Sequence, residues 1–244
     1  RPDVPVYAGI QVPETLAKQG VDAASYKRLT HCDLVAPGDP ECDRAYGDAI
    51  DFILDQLDRA ETPVMIIATG PWTNVAEVLR RANETQTSKI ASLALMGGEV
   101  HLLHSGSNVK SDPEAADLIL KRRVPTFLAT WSISRQLAFS MAEVDTLTRD
   151  ATVPFVRALR TATEMWWGGG STYKPGPVCY DTIPVFWAAG DRDAISCIKL
   201  EEIPVELTGT HTRGMMVVHP WTRMHAEPVT STSSEYVTLT DALD

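Results

Sequence analysis

The chain has 244 residues, 44% of them hydrophobic, and a formal net charge of −10 at pH 7. This composition is typical of a globular protein, and the length is sufficient for a large core in one domain. An acidic surface disfavours nucleic acid and anionic membranes as partners, because both are negatively charged. No apolar run approaches the roughly 20 residues that a membrane span needs. The sequence therefore predicts a globular domain that binds neither nucleic acid nor membranes.

The four cysteines are scattered along the chain. A chain of this length does not need disulfides, so we interpret them as free thiols and expect a reducing, cytoplasmic location. No signal segment stands at the N-terminus, which agrees with that expectation. A local bridge between Cys32 and Cys42 stays open, as does a zinc site with His31, although the Cys-x-x-Cys spacing typical of zinc sites is absent.

In the first half of the chain, segments with the apolar spacing of a helix alternate with continuous apolar runs typical of buried strands. Residues 1–44 are irregular and predict a long loop, and 45–60 has the apolar spacing of a helix. The continuous apolar run 63–70 predicts a strand buried on both faces. Residues 73–84 predict a helix, with Thr73 as its N-cap.

The alternation continues with a second buried strand over 90–98. A helix follows over 111–123, with Ser111 or Asp112 as its cap and Pro113 at its first position. A third strand is predicted over 124–131. Strands that alternate with helices across short links indicate an α/β fold, with a mostly parallel open sheet and helices on both faces.

The second half is less regular. We predict a helix over 151–167, a helix over 180–190, two strands within 203–218, and a polar, partly disordered tail over 228–244. No repeat or linker divides the chain, so we expect a single domain over 1–244. No G-x-G-x-x-G follows a strand, which argues against a dinucleotide-binding enzyme.

Three predicted strands end at identifiable positions, two of them marked by glycine: Thr69-Gly70-Pro71, Met96-Gly97-Gly98 and Thr130-Trp131. Ligands bind at the carboxyl ends of the strands in parallel sheets, and glycine lets the backbone approach a ligand closely. These three turns therefore predict a pocket along one rim of the sheet.

Several phrases lie in the order found in one known family. They are PVYAG (5–9), ATGPWTN (68–74), LMGG (95–98), Asn108 four residues before DPEAA (112–116), and VELTGTHTRGMMVV (205–218). In this respect the chain resembles the nucleoside hydrolase family of the inosine–uridine preferring type. The resemblance implies a nucleoside-hydrolase-like, Rossmann-like core.

The resemblance also implies an activity: hydrolysis of the N-glycosidic bond of a ribonucleoside, or of a related N-ribosyl compound, by a water molecule activated by Ca²⁺. Members of the family commonly form dimers or tetramers, so the resemblance also implies a homodimer or a homotetramer. In the family, an acidic segment that supplies most calcium ligands precedes the PVYAG phrase, and nothing in 1–244 replaces it. We therefore expect the sheet to lack the family's first strand or to gain it from a separate piece of polypeptide. The alternative is an inactive homologue that acts as a ligand-binding or protein-interaction module.

Five residues match family positions individually. Asp181 and the backbone carbonyl of Thr69 match calcium ligands, and Asn108 matches the asparagine that holds ribose hydroxyls. Met96 lies where the family packs against the sugar. His31 falls near the histidine of the family's mobile loop.

Two departures affect the predicted chemistry. Tyr180 replaces the histidine that donates a proton to the leaving base, and a tyrosine can donate a proton or stack on a base. Gly106 replaces a glutamate, while the same loop adds His101 and His104 as further candidates for that proton donor. Asp181 is expected at the start of a helix, facing a pocket bounded by Thr69 and Met96, and its alternative role is a plain helix cap.

Overall fold

The structure is a computed structural model that describes residues 4–23, 25, 47–168, 176–190, 195–219 and 237–243. The helices are α1 (Glu14–Lys18), α2 (Ala49–Arg59), α3 (Thr73–Arg81), α4 (Glu84–Ser88), α5 (Ser107–Ser111), α6 (Pro113–Lys121), α7 (Trp131–Ser134), α8 (Met141–Thr148), α9 (Pro154–Gly168) and α10 (Thr182–Ala189). The strands are β1 (Val64–Ala68), β2 (Ile90–Met96), β3 (Thr126–Ala129), β4 (Ile195–Leu200) and β5 (Val237–Leu243).

The strands form one sheet in the order β1-β2-β3-β5-β4. Strands β1, β2, β3 and β5 run parallel, and β4 is antiparallel to β5. The predicted α/β class with a mostly parallel open sheet is confirmed. Strands β1, β2 and β3, with the helices between them, form the two βαβ units that the sequence pattern indicated.

The two faces of the sheet bury separate cores, as the alternation of side chains along a strand requires. Leu93, Leu95 and Leu128 pack on one face against α2, α3 and α6. Ala94 and Phe127 point to the other face, where they pack with residues of α7 and α10. Helices therefore cover both faces, as predicted.

Two predictions about the second half were wrong. Residues 203–218 form no strand and meet in a single antiparallel bridge, between Val205 and Met216. The predicted polar tail contributes β5, which lies inside the sheet between β3 and β4. A strand of seven residues that alternates threonine with apolar residues is compatible with that position, but its partners are distant in sequence.

The helix caps follow the sequence with one correction. Asp112 caps α6 by accepting from the Ala115 N–H at 3.1 Å, and Pro113 takes the first helical position, as predicted. Thr73 is not the cap of α3 but its first helical residue. Its hydroxyl donates instead to the buried Asp112 carboxylate at 2.6 Å, which ties the starts of α3 and α6 together.

Strand β1 was predicted to be buried on both faces, and this was wrong in part. Ile67 is 42% exposed, and β1 is one of the two edge strands of the sheet formed by the described residues. Within the same part of the chain, no helix combines the length and apolar character needed to cross a bilayer.

Candidate functional site

An open cleft of approximately 320 Å³ lies where β1, β2 and β3 end. The ends of these strands and the start of α7 contribute Thr69, Met96 and Trp131 to its walls. The start of α5 contributes Asn108, and the segment directly before α10 contributes Tyr180 and Asp181. The cleft thus brings together Thr69, Met96, Asn108, Tyr180 and Asp181, five of the eight candidates that the sequence singled out. Another candidate, His31, lies outside the described residues.

The Asn108 amide is oriented by two main-chain carbonyl groups. Its Nδ2 atom lies 2.9 Å from the carbonyl oxygen of Thr69 and 2.9 Å from that of Met96. Carbonyl oxygens accept hydrogen bonds and do not donate them, so both amide N–H groups are used inside the protein. The group that Asn108 presents to a ligand is therefore its oxygen, an acceptor.

The Met96 carbonyl has a second donor, the indole N–H of Trp72, at 3.1 Å. Trp72 is 1% exposed and stands where the family phrase has leucine. A carbonyl oxygen has two lone pairs, and here both are used. One oxygen atom thus joins the turn after β1, the end of β2 and the helix α5.

Asp181 takes the position directly before α10 and faces the cleft together with Thr69 and Met96. This placement was predicted and is confirmed, while its role stays a prediction. Its side chain makes no capping hydrogen bond, so the alternative of a plain helix cap is not supported by hydrogen bonding. Asp181 is an exposed residue, but partial desolvation of its carboxyl group raises its pKa above the usual value for aspartate.

Of the proton-donor candidates, Tyr180 lines the cleft and the two histidines do not. Tyr180 is half-buried and lines it beside Asp181. His101 and His104 are not among its lining residues. The His104 ring packs on Trp131 with ring centroids 4.8 Å apart, so His104 contacts a residue of the wall. Among the described residues, neither Cys179 nor Cys197 takes part in a disulfide, while Cys32 and Cys42 lie outside the described residues.

Backbone packing explains why glycine replaces the family's glutamate at position 106. Gly106 has φ +68°, and a Cβ there would lie 2.9 Å from the backbone nitrogen of Gly98, which itself has φ +69°. A side chain at 106 therefore meets both strain and a backbone clash. The short loop between Gly98 and Asn108 closes on itself and needs glycine at this contact.

Glu99 was missed by the sequence analysis, although a charge directly after Gly97-Gly98 at the end of a buried strand was a usable signal. Its side chain is 0% exposed. One carboxylate oxygen accepts from the N–H groups of Val100 (2.8 Å) and His101 (2.6 Å), and the other accepts from Ser132 at 2.8 Å.

The described residues do not by themselves fit a calcium ion. Asp181 is the only carboxylate among the residues that line the cleft, and the Thr69 carbonyl already accepts from Asn108. No group of three or more His, Cys, Asp or Glu side chains in the described ranges is placed to hold a metal. Calcium takes about 6–8 oxygen ligands, far more than this set offers.

A second depression, of about 460 Å³, lies between α1, α3 and α6 and is lined by Glu14, Arg80 and Asp112 among others. Thr73 and Asp112 of the family phrases line it, but it contains none of the residues matched to calcium ligands or to contacts with the sugar. Although it is larger, the chemistry predicted from the sequence is concentrated in the cleft at the strand ends.

These features define the class: an α/β protein with an open, mostly parallel sheet and a polar cleft at the carboxyl ends of its strands. The family model for inosine-uridine preferring nucleoside hydrolase matches residues 1–241. The chain belongs to this family.

Relatives with known names agree in family and differ in substrate. The pyrimidine-specific ribonucleoside hydrolase RihA of Salmonella paratyphi B is 27% identical over 225 residues, which cover 89% of this chain and 70% of that protein. The purine-preferring ribonucleoside hydrolase of Gardnerella vaginalis superposes with a TM-score of 0.77 at 22% identity, covering 100% of this chain and 77% of the other. The plant nucleoside hydrolase PpNRh1 gives 0.72 at 20% identity, covering 99% and 77%. The two structures show the same fold.

Proposed function

We propose that this chain binds a ribonucleoside, or a related N-ribosyl compound, in the cleft and acts in hydrolysis of its N-glycosidic bond. The observation that carries the proposal is the Asn108 amide, whose two N–H groups are held by the Thr69 and Met96 carbonyls. Its oxygen is left as an acceptor in the cleft. A sugar hydroxyl is a donor of matching chemistry.

The other lining residues suit the demands of the reaction. Cleavage of an N-glycosidic bond builds positive charge on the sugar, as in O-glycoside hydrolysis, and the Asp181 carboxylate can stabilise that charge. Tyr180 adjoins Asp181 and carries a hydroxyl that can give a proton to the departing base. Met96 is 6% exposed and offers an apolar surface to the sugar ring.

The calcium-held water of the family is part of this proposal only together with further oxygen ligands. Asp181 and the Thr69 carbonyl are the two donors that we assign within the described residues. The remaining ligands have to come from outside those residues. His31, proposed as a residue of the mobile loop, belongs to the same untested part of the site.

The small set of oxygen donors favours a second candidate function for residues 1–244 by themselves. In this alternative the chain is an inactive homologue whose cleft binds a nucleoside or ribose without hydrolysing it. Both candidates use the same cleft. They differ in whether the glycosidic bond is broken.

One experiment separates them. Purine and pyrimidine ribonucleosides are incubated with the protein, with and without Ca²⁺, and the release of free base and ribose is followed by chromatography. Equilibrium binding is measured in parallel by calorimetry, and Asn108→Ala serves as the cleft variant. Release of ribose that Asn108→Ala abolishes supports the hydrolase. Binding without release supports the alternative, and neither binding nor release refutes both.

A further inference from the structure

We infer that Glu99 is a positioning residue that clips the loop after β2 to the first turn of α7 and thereby fixes Trp131 as a wall of the cleft. The inference deepens the proposed function and rests on it where nucleoside turnover is concerned. The placement of Trp131 itself is tested without any ligand.

A fully buried carboxylate is costly unless its oxygens are satisfied by strong donors. Glu99 is 0% exposed, and the three partners described above are all backbone N–H groups, two from its own loop and one from Ser132. Ser132 directly follows Trp131. The carboxylate therefore connects two segments that are more than 30 residues apart in sequence.

The backbone reinforces the same connection. The Trp131 N–H donates to the Gly98 carbonyl at 3.0 Å, and the Gly97 N–H donates to that of Ala129 at 3.0 Å. With the bond from Ser132 to Glu99, these contacts fasten the end of β2 to the start of α7. Trp131 is thus held at its own N–H and at the N–H of its neighbour.

The indole of Trp131 is then braced by two side chains. The His104 ring lies 4.8 Å away between centroids, and the Arg135 guanidinium carbon lies 4.6 Å from the indole centroid. His104 belongs to the loop that Glu99 holds, and its Nδ1 accepts from the Gly106 N–H at 2.9 Å. Release of the loop from α7 therefore moves both Trp131 and its support.

The substitution Glu99→Gln tests the hydrogen bond between Glu99 and the Ser132 N–H. If the amide oxygen keeps its bonds to Val100 and His101, the NH₂ group faces the Ser132 N–H, donor against donor. Glu143→Gln is the matched control, because Glu143 also accepts from a backbone N–H, that of Ser140 at 2.7 Å, at an exposed capping box. Glutamine serves equally well in that motif.

The first measurement uses protein labelled with 5-fluorotryptophan and ¹⁹F NMR. The Trp131 resonance is assigned by its loss in Trp131→Phe. Glu99→Gln is expected to shift and broaden this resonance and to leave that of Trp72 in place, while Glu143→Gln changes neither. An unchanged Trp131 resonance in folded Glu99→Gln overturns the inference. If this variant does not fold, Glu99→Asp, which keeps the charge but is too short to hold both segments, takes its place.

The second measurement is nucleoside turnover. Misplacing a wall of the site is expected to lower kcat/KM roughly 10- to 100-fold in Glu99→Gln. The double variant with Trp131→Phe should be no worse than the more impaired single variant, because both changes act through one side chain. Additive losses, or a kcat/KM equal to that of the unsubstituted protein, contradict the inference. If the unsubstituted protein neither binds nor cleaves nucleosides, the proposed function fails, and the ¹⁹F measurement still decides whether Glu99 places Trp131.

Discussion

The side chain of Asn108 donates an N–H group to the main-chain carbonyl of Met96 at 2.9 Å, and this bond decides what the cleft can recognise. A second N–H goes to the Thr69 carbonyl, also at 2.9 Å. The amide therefore cannot turn its nitrogen toward a ligand without leaving two carbonyl groups unpaired. Asn108 both holds the rim together and fixes the polarity of its own contact with a substrate.

Asn108→Asp is expected to weaken both the stability of the rim and the binding of a nucleoside. It places carboxylate oxygens against two carbonyl oxygens and should lower the free energy of unfolding by about 1–3 kcal/mol, the usual cost of an unsatisfied buried group. Nucleoside binding should be lost as well. Urea unfolding and calorimetry measure the two effects.

Asn83→Asp is the control for Asn108→Asp. Asn83 caps α4 by accepting from Gln86, and aspartate is an equally good cap, so stability should be unchanged. Full stability of Asn108→Asp would show that the amide is not held by the two carbonyls.

Gly106→Ala should damage the cleft through the backbone. Its positive φ costs alanine about 1–2 kcal/mol, and the clash with Gly98 adds about 1–3 kcal/mol of overpacking. Gly20→Ala is the comparison, since Gly20 has φ +82° with nothing within 4 Å of a Cβ, so only the first cost applies. Thermal unfolding should show Gly106→Ala to be clearly the less stable. Equal losses would contradict the clash.

Strands β1 to β3 and the helices between them were predictable because their sequence patterns are local. Strand β2 is a continuous apolar run. The start of α6 is marked by a capping aspartate, Asp112, and by Pro113 at the first helical position. Strand β5 was not predictable, because Val237–Leu243 follows a polar stretch rich in serine and threonine and gains its place by pairing with β3, more than 100 residues earlier. A pattern of one segment contains no information about so distant a partner.

The site shows the same division. Thr69, Met96, Asn108 and Asp181 were found because they follow strands or match family phrases. Glu99 was missed, since its function depends on the N–H of Ser132, which only the folded chain brings near. The direction of the Asn108 amide was likewise hidden, because it is set by two carbonyl groups of other segments.

A calcium titration tests whether the oxygen donors of the cleft are too few to bind Ca²⁺ tightly. With one carboxylate and one carbonyl in the cleft, residues 1–244 should bind Ca²⁺ no tighter than about 1 mM, the weak end for protein sites. The shift of the unfolding temperature with CaCl₂ concentration measures it. A micromolar affinity would contradict the expectation and show that residues outside the described ranges complete a site. Asp181→Asn should then weaken that affinity.

Asp181→Asn is expected to stabilise the protein at neutral pH. Burial raises the pKa of the Asp181 carboxyl in the folded state. A carboxyl with a raised pKa favours the folded state at low pH, where it is protonated, and this benefit is lost as pH rises through the folded-state pKa. At pH 7 the ionised, partly desolvated carboxylate therefore costs stability. Asparagine has no charge to desolvate.

The difference between the two proteins should depend on pH in one direction. Asp181→Asn should unfold at a higher temperature than the unsubstituted protein at pH 7, and the gap should close as pH falls toward the ordinary pKa of aspartate, about 4. Scanning calorimetry from neutral to acidic pH measures it, and Asp58→Asn, at an exposed aspartate of α2, is the comparison. A gap that stays constant with pH would show that the benefit does not come from titration. Lower stability of Asp181→Asn at pH 7 would mean that the carboxylate has a stabilising partner, such as a bound cation, that outweighs its desolvation.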